Sequence, residues 1–229
     1  MPDRLGPLPP LLIAFTVVTG IVDAVSFLGL GHVFVANMTG NIIFLGLAAA
    51  GVPGVSAATS LVSIAAFLVA GIAGGRLVRA RHHRGRLLAD CAAAELVLLV
   101  AGVAVAASSD AEPAHLALIV LLALAMGLQN AVARALAVPD LITTVLTMTL
   151  TGLAADSRLG GGAGANNGRR LAAVFAMFVG AFIGALLLLR VSSFAALAAA
   201  AIILAGSWAF AFSRARREPD GAWGAFPGR

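Results

Sequence analysis

Eight long apolar stretches, nearly free of charged residues, follow one another along this chain of 229 residues. Hydrophobic residues make up 61% of the chain and charged residues 11%, whereas about a quarter of a soluble domain is charged. A globule of this length has too little interior to bury so much apolar surface, so lipid must cover it. The composition predicts an all-α polytopic protein of the lipid bilayer. It excludes a soluble enzyme, a disordered protein and a nucleic-acid-binding protein.

A membrane-spanning helix needs about 20 mostly apolar residues. The connections between the stretches are brief, so we expect a single transmembrane domain over residues 1–212. The polar tail over 213–229 is expected to be disordered. The eight predicted elements are roughly 9–31, 33–51, 55–78, 87–108, 115–136, 138–157, 171–190 and 192–212.

The positions of the arginines indicate how many of these elements cross the membrane. The chain has 15 Arg and no Lys, and positive side chains collect in cytoplasmic loops. If all eight elements crossed, the arginines would divide almost evenly between the two sides. If 33–51 and 138–157 instead enter and leave on the same side, only Arg190 lies outside the cytoplasm. The second arrangement predicts six full spans, two re-entrant or broken elements, and both termini in the cytoplasm.

Three short segments in the first half of the chain resemble three segments in the second half, in the same order and at nearly constant spacing, which indicates an internal repeat. With three spans and one re-entrant element each, repeats over about 9–108 and 115–212 would be inverted relative to each other. Inverted repeats with interrupted elements recur in transporters, where the binding site lies near the membrane midplane. The glycine pairs of the third match are expected to pack helices closely. The matched segments are 20–25 with 127–132, 45–49 with 151–155, and 71–75 with 180–184.

Asp23 lies well inside the first span, roughly 20 Å from its start by helical rise. A carboxylate in hydrocarbon costs about 2.5–3.5 kcal/mol on insertion scales, so it should face the protein interior and have a partner. It is either a proton- or cation-binding group or a hydrogen-bonded residue that only fastens helices together. Its counterpart in the second repeat is Asn130, which follows Gln129. Both amide side chains carry donors and acceptors that must be satisfied.

Asn37, Thr39 and Asn41 interrupt the second element, beside Gly40. Asn and Gly favour turns, so this stretch can be the tip of a re-entrant hairpin. The alternative is a continuous helix whose polar residues bond to neighbouring helices.

The matching element of the second repeat, after Pro139, is rich in threonine and includes Thr144 and Thr147. These hydroxyl groups either line a polar pathway or bond back to carbonyls of their own helix.

The remaining ionisable residues indicate no catalytic chemistry. Asp90 is expected to pair with the loop arginines, and the deeper Glu95 with Arg134. The single cysteine, Cys91, excludes an internal disulfide and a cysteine metal cluster. The sequence contains no nucleotide, dinucleotide or hydrolase motif. We therefore expect no catalytic residues, no bound metal and no cofactor.

These observations favour a small secondary transporter or permease for a small solute or an ion, with Asp23 as the coupling group. Two alternatives remain open: a non-transporting assembly or stress factor of the membrane and, ranked last, an intramembrane enzyme. A homo-oligomer is compatible with all three. The predicted pathway residues are Asp23, Asn37, Thr39, Asn41, Gln129, Asn130, Thr144 and Thr147.

Residues 19–41 and 126–156 resemble the YoaK-like family of bacterial membrane proteins of unknown function. The resemblance covers roughly residues 10–212. Its best marks are Asp23, the stretch 37–41, the pair Gln129 and Asn130, and the threonine-rich element. It implies a location in the bacterial inner membrane, but no substrate, reaction or cofactor.

Overall fold

The computed structural model of the chain describes residues 5–109, 111–139, 146–162, 167–218 and 222–226. The regular structure in these segments is helical, with two short 3₁₀ turns over Arg158–Gly160 and Ala222–Gly224. The α-helices are α1 (Leu8–Gly29), α2 (Met38–Ala49), α3 (Ala57–Ala80), α4 (Arg84–Ser108), α5 (Glu112–Leu136), α6 (Leu146–Ala155), α7 (Asn167–Arg190) and α8 (Ser193–Arg217).

Six of the helices are long and apolar enough to cross a membrane. They contain 22 to 25 residues, about 33 Å or more by helical rise, against a hydrocarbon core of about 30 Å. The other two, α2 with 12 residues and α6 with 10 residues, are too short to cross it. The predicted architecture of six spans and two shorter elements is therefore confirmed.

Local sequence explains where several helices begin and end. The side chains of Ser56 and Ser192 each accept a hydrogen bond from a backbone N–H in the first turn of α3 and α8. These bonds satisfy donors that a helix start leaves unpaired. At the other end of α5, Ala137 adopts a left-handed conformation with φ of 50° and ends the helix.

The core lies around α1 and α5, which are the most buried of the long helices. α1 packs most extensively against α7, and α5 against α3, while α4 and α8 pack against each other. The outward faces carry large exposed apolar side chains, such as Val97, Phe178 and Ile202. Such a surface fits lipid contact, because it would be unfavourable in water.

Small residues bring the paired helices into close contact. A Cβ atom at Gly180 would collide with the carbonyl oxygen of Val17 in α1, and one at Gly20 would collide with that of Met177 in α7. The same kind of contact joins α5 and α3, where a Cβ at Gly127 would collide with the carbonyl oxygen of Phe67. Close backbone approach is the usual reason for small residues at membrane helix interfaces.

The third sequence match aligns Gly71 of α3 with Gly180 of α7, which is a spacing of 109 residues. In the structure, the buried positions of the two helices correspond at a spacing of 110 residues. Gly74 packs against Leu128 and Ala131, as Gly184 packs against Ile21 and Ala24. The expected packing role of Gly71 is wrong, because a Cβ there would meet no atom within 4 Å. In helices this rich in Ala and Gly, a pair of glycines can be matched in more than one register. The buried faces of α3 and α7 have four equivalent positions: Ser63 and Ala173, Ala66 and Ala176, Ala70 and Gly180, and Gly74 and Gly184.

The described part of the tail is more ordered than expected. α8 continues to Arg217, and Trp223 is only 3% exposed. The indole packs edge-on against His83 and donates a hydrogen bond to Glu218 at 3.1 Å. Burial of a large aromatic ring explains why this short polar segment folds back onto the helices.

Substitution of alanine at two glycines tests the corrected register. Gly180→Ala should lower the free energy of unfolding by about 1–3 kcal/mol, because the added methyl group overpacks the interface with α1. Gly71→Ala should be neutral or stabilise by about 0.5–1 kcal/mol, because the site is open and alanine favours helix. Thermal unfolding in detergent measures both. Equal destabilisation by the two changes would contradict the register.

Candidate functional site

The chain turns back on itself after α1 and forms a hairpin with α2. Gly31 and His32 have positive φ angles of 86° and 57° and make the turn. The ring of Phe34 then packs against that of Phe27 in α1, at 5.2 Å, and that of Phe44 in α2, at 5.8 Å, and these two rings also contact each other at 6.3 Å. Residues 30–37 therefore run back alongside α1, and α2 leaves in the opposite direction. We call residues 30–49 the hairpin.

Asp23 fastens the hairpin to α1. Its Oδ1 accepts hydrogen bonds from the backbone N–H groups of Val35, at 3.0 Å, and Ala36, at 2.8 Å. These amides belong to a non-helical segment, so they have no helical partner, and lipid offers none. We expected Asp23 to have a partner, and the structure shows that this partner is the backbone of the hairpin. The donors of these two bonds are amides and not a cationic side chain.

Asn41 holds the hairpin closed from the other side. Its amide pairs with both backbone groups of Phe34: Oδ1 accepts from N–H at 2.9 Å, and Nδ2 donates to the carbonyl at 2.6 Å. Ser63 of α3 donates to the same carbonyl at 2.7 Å. Asn41 is fully buried and Thr39 is exposed. Sequence reasoning missed Ser63, because nothing in the pattern of α3 separates it from an ordinary packing serine.

A cavity of about 450 Å³ lies between α1, the hairpin, α6 and α7. We call it the Asp23 cavity. Among the described residues, its polar lining consists of three of the predicted residues, Asp23, Asn37 and Thr147, which come from both halves of the chain. The rest of the described lining is apolar, and sequence reasoning missed it. It consists of Gly20, Ala24, Phe27, Leu28, Phe34 and Leu146 and, on α7, Met177, Ala181 and Ala185.

Two predicted pathway residues on α5 lie elsewhere. Gln129 is buried and donates a hydrogen bond from Nε2 to the hydroxyl of Thr19 at 2.7 Å, which links α5 to α1. Asn130 donates to the carbonyl of Met126, one turn earlier in its own helix. Among the described residues, neither belongs to the lining of the Asp23 cavity. Thr144 lies outside the described residues.

The other membrane acids have different surroundings. Asp90 forms the expected ion pair, with Arg81. Glu95 is completely buried, and neither of its carboxyl oxygens has a hydrogen-bond partner in the described part of the chain. The expected pair with Arg134 is wrong, because Arg134 points to the exposed side of α5. Burial of a carboxyl group without a partner carries a cost in free energy.

Across segments 5–109, 111–139, 146–162, 167–218 and 222–226, no group of three or more His, Cys, Asp or Glu could hold a metal ion.

Two substitutions separate the contribution of Asp23 to the fold from its charge. Asp23→Ala removes the acceptor of two amides and should lower the free energy of unfolding by at least about 2 kcal/mol, because each unsatisfied buried group costs about 1–3 kcal/mol. Asp23→Asn keeps an oxygen in the same place and should lose much less. Thermal unfolding in detergent measures both changes.

Asp90→Ala is the matched control, because it removes an acid whose ion pair is partly exposed and of small energetic value. An equal loss for Asp23→Ala and Asp90→Ala would show that Asp23 does not hold the hairpin.

Comparison with known proteins places the chain among uncharacterised membrane proteins. The family described as "Protein of unknown function (DUF1275)" matches residues 11–210. The UPF0700 transmembrane protein YoaK of Bacillus subtilis (strain 168) is 34% identical over 148 residues, which cover 64% of this chain and 65% of that protein. The match thus spans slightly less than two thirds of the relative, and no solved structure matches the chain. The chain therefore belongs to the YoaK-like family of transmembrane proteins of unknown function, which the DUF1275 description covers.

Proposed function

We propose that this protein is a small secondary transporter or permease whose binding site is the Asp23 cavity. The observation that carries the proposal is a carboxylate that lines a cavity of about 450 Å³ between membrane-length helices. Acidic residues inside membrane spans are rare and mark ion or proton pathways. Cavities built from interrupted elements of two repeats are a recurring transporter site.

The lining favours a small cation or a small amphipathic solute that carries a positive or proton-donating group. Among the lining residues that the structure describes, Asp23 carries the charge, and Asn37 and Thr147 add neutral hydrogen-bonding groups. Oδ1 of Asp23 accepts the hydrogen bonds of Val35 and Ala36, and the backbone N–H of Asn37 also bonds to this carboxylate. The same carboxylate lines the Asp23 cavity, where it would meet a proton or ligand. Aromatic rings of Phe27 and Phe34 complete an apolar wall.

The two halves of the chain are proposed to be inverted repeats. α1, α2, α3 and α4 would correspond to α5, α6, α7 and α8. Two observations support this assignment: α1 packs on α7 as α5 packs on α3, and the buried positions of α1 recur 107 residues later in α5. With three spans in each half, the halves would have opposite orientation. A solute at their junction could then be reached from either side of the membrane in turn.

A non-transporting membrane factor is the second candidate, and one observation favours it. Asp23 and Asn41 both hold the hairpin closed through hydrogen bonds to its backbone. In that case the polar residues would stabilise the fold only, and the Asp23 cavity would carry no solute.

Flux through proteoliposomes separates the two candidates. With a pH-sensitive dye inside and an imposed potential, the wild type should carry protons, alone or with a solute from a panel of cations and metabolites. Asp23→Asn should reduce this flux at least about ten-fold, because the amide keeps the shape but cannot titrate. Ala181→Phe should also block it by filling the cavity.

Two matched controls test specificity. Asp90→Asn changes an acid outside the cavity, and Ala73→Phe adds the same ring at an exposed position of α3. Both should leave the flux within about two-fold of the wild type. Unchanged flux and pH dependence in Asp23→Asn would favour the non-transporting factor.

We further propose that the protein lies in the bacterial inner membrane with both termini in the cytoplasm. Six spans then place all but one of the 15 arginines on the cytoplasmic side, as the positive-inside rule requires. In a Cys91→Ala background, an impermeant maleimide added to intact cells should label Val52→Cys and not Leu159→Cys, both of which are exposed. Lysed cells should label both. The reverse pattern in intact cells would overturn the orientation.

A further inference from the structure

A second cavity, of about 200 Å³, lies where the beginning of α4 meets the end of α8. We call it the arginine pocket. Arg81, Arg86 and Arg216 line it, together with Asp90 and Phe212. It shares no lining residue with the Asp23 cavity, so it is independent of the proposed transport site.

The arginine pocket carries an excess of positive charge. Asp90 pairs with Arg81 at 2.5 Å and so neutralises one of the three guanidinium groups. Within the described part of the chain, no acidic side chain pairs with Arg86 or Arg216. Two unneutralised guanidinium groups at one small cavity repel each other, and an anion between them would relieve the repulsion. Guanidinium donors match the oxygens of phosphate especially well.

One of the two arginines is already held in position. The guanidinium of Arg216 lies over the ring of Phe212, 4.6 Å from its centre. A cation–π contact of this kind restricts the side chain, so less conformational freedom is lost when an anion binds. Arg86 is exposed in the first turn of α4, and its flexible stem allows it to close on the same anion.

The position of the arginine pocket indicates where the anion comes from. It lies at the ends of two membrane-length helices, which is the level of the lipid headgroups. Further along α4, the face that carries Arg86 and Asp90 exposes the apolar side chains of Val97 and Val100. A phosphate at the pocket could therefore remain attached to acyl chains that lie along this surface. Basic pockets between membrane helices bind anionic lipid headgroups.

We propose that the arginine pocket binds a phosphate group, supplied by the headgroup of an anionic phospholipid. The lipid would join the start of α4 to the end of α8 and so stabilise the arginine-rich end of the helix bundle. The same chemistry would also suit a free phosphate ester, and the experiment distinguishes these two sources.

The test measures lipid retention by the full-length protein in detergent, by native mass spectrometry. Phosphatidylglycerol should be retained in preference to phosphatidylcholine. The double variant Arg86→Gln with Arg216→Gln should bind phosphatidylglycerol about ten-fold more weakly or worse, because it removes two charge-assisted contacts. Arg216→Lys should retain part of the affinity, because lysine keeps the charge without the planar fork.

Arg217→Gln is the matched control. Arg217 is the next residue of α8, it is also exposed, and it does not line the arginine pocket. It should change the affinity less than about two-fold. Melting temperature in lipid-free detergent should not fall below the wild-type value in these arginine variants, which separates weaker binding from loss of folding.

Three outcomes would overturn the proposal. Equal weakening by Arg217→Gln and by the double variant Arg86→Gln with Arg216→Gln would show diffuse attraction in place of a site. Equal retention of phosphatidylglycerol, which is anionic, and phosphatidylcholine, whose phosphate is balanced by a cationic choline, would show that the pocket does not select an anionic headgroup. Binding of soluble glycerol phosphate as tight as that of phosphatidylglycerol would overturn the lipid source. Asp23→Asn should retain phosphatidylglycerol normally, whatever its effect on flux.

Discussion

A backbone N–H group that leaves a helix inside a bilayer finds no acceptor in the lipid, so the protein must supply one. Asp23 supplies an acceptor to Val35 and Ala36, and Asn41 satisfies both backbone groups of Phe34. The acid and the hairpin therefore depend on each other. Without the hairpin the carboxylate would lie unsatisfied within α1, and without the carboxylate the hairpin amides would be unsatisfied.

The Asp23 cavity follows from a second constraint, which is the close packing of the long helices. Small residues draw α1 onto α7 and α5 onto α3. The helices α2 and α6 are too short to cross the membrane. The hairpin segment just before α2 and the start of α6 both line the region beside α1 and α7. Short helices that end partway leave a space that tight packing of six long helices would not contain.

Asp23, Asp90 and Glu95 lie in membrane-length helices, but their carboxyl groups have different partners. Asp23 is held by backbone amides at a cavity, and Asp90 is paired with Arg81 near the arginine-rich end. Glu95 is buried, and the described residues offer it no hydrogen bond. The first arrangement fastens the hairpin to α1, the second neutralises charge beside the arginine pocket, and the third is a cost that packing must offset.

Composition, segment length and the cost of a charge in hydrocarbon act on each segment separately, so the sequence alone predicts the membrane spans, the two shorter elements and the importance of Asp23. The contacts between segments emerge only in the folded bundle. They include the hydrogen-bond partners of Asp23 and Asn41, the faces that α3 presents to α5 and α7 to α1, and the cavity lining from Met177 and Ala181. Arg134 likewise lies on an exposed face of α5, so Glu95 lacks the expected partner. In helices rich in alanine and glycine, several faces could pack closely, and the packing of the whole bundle selects one of them.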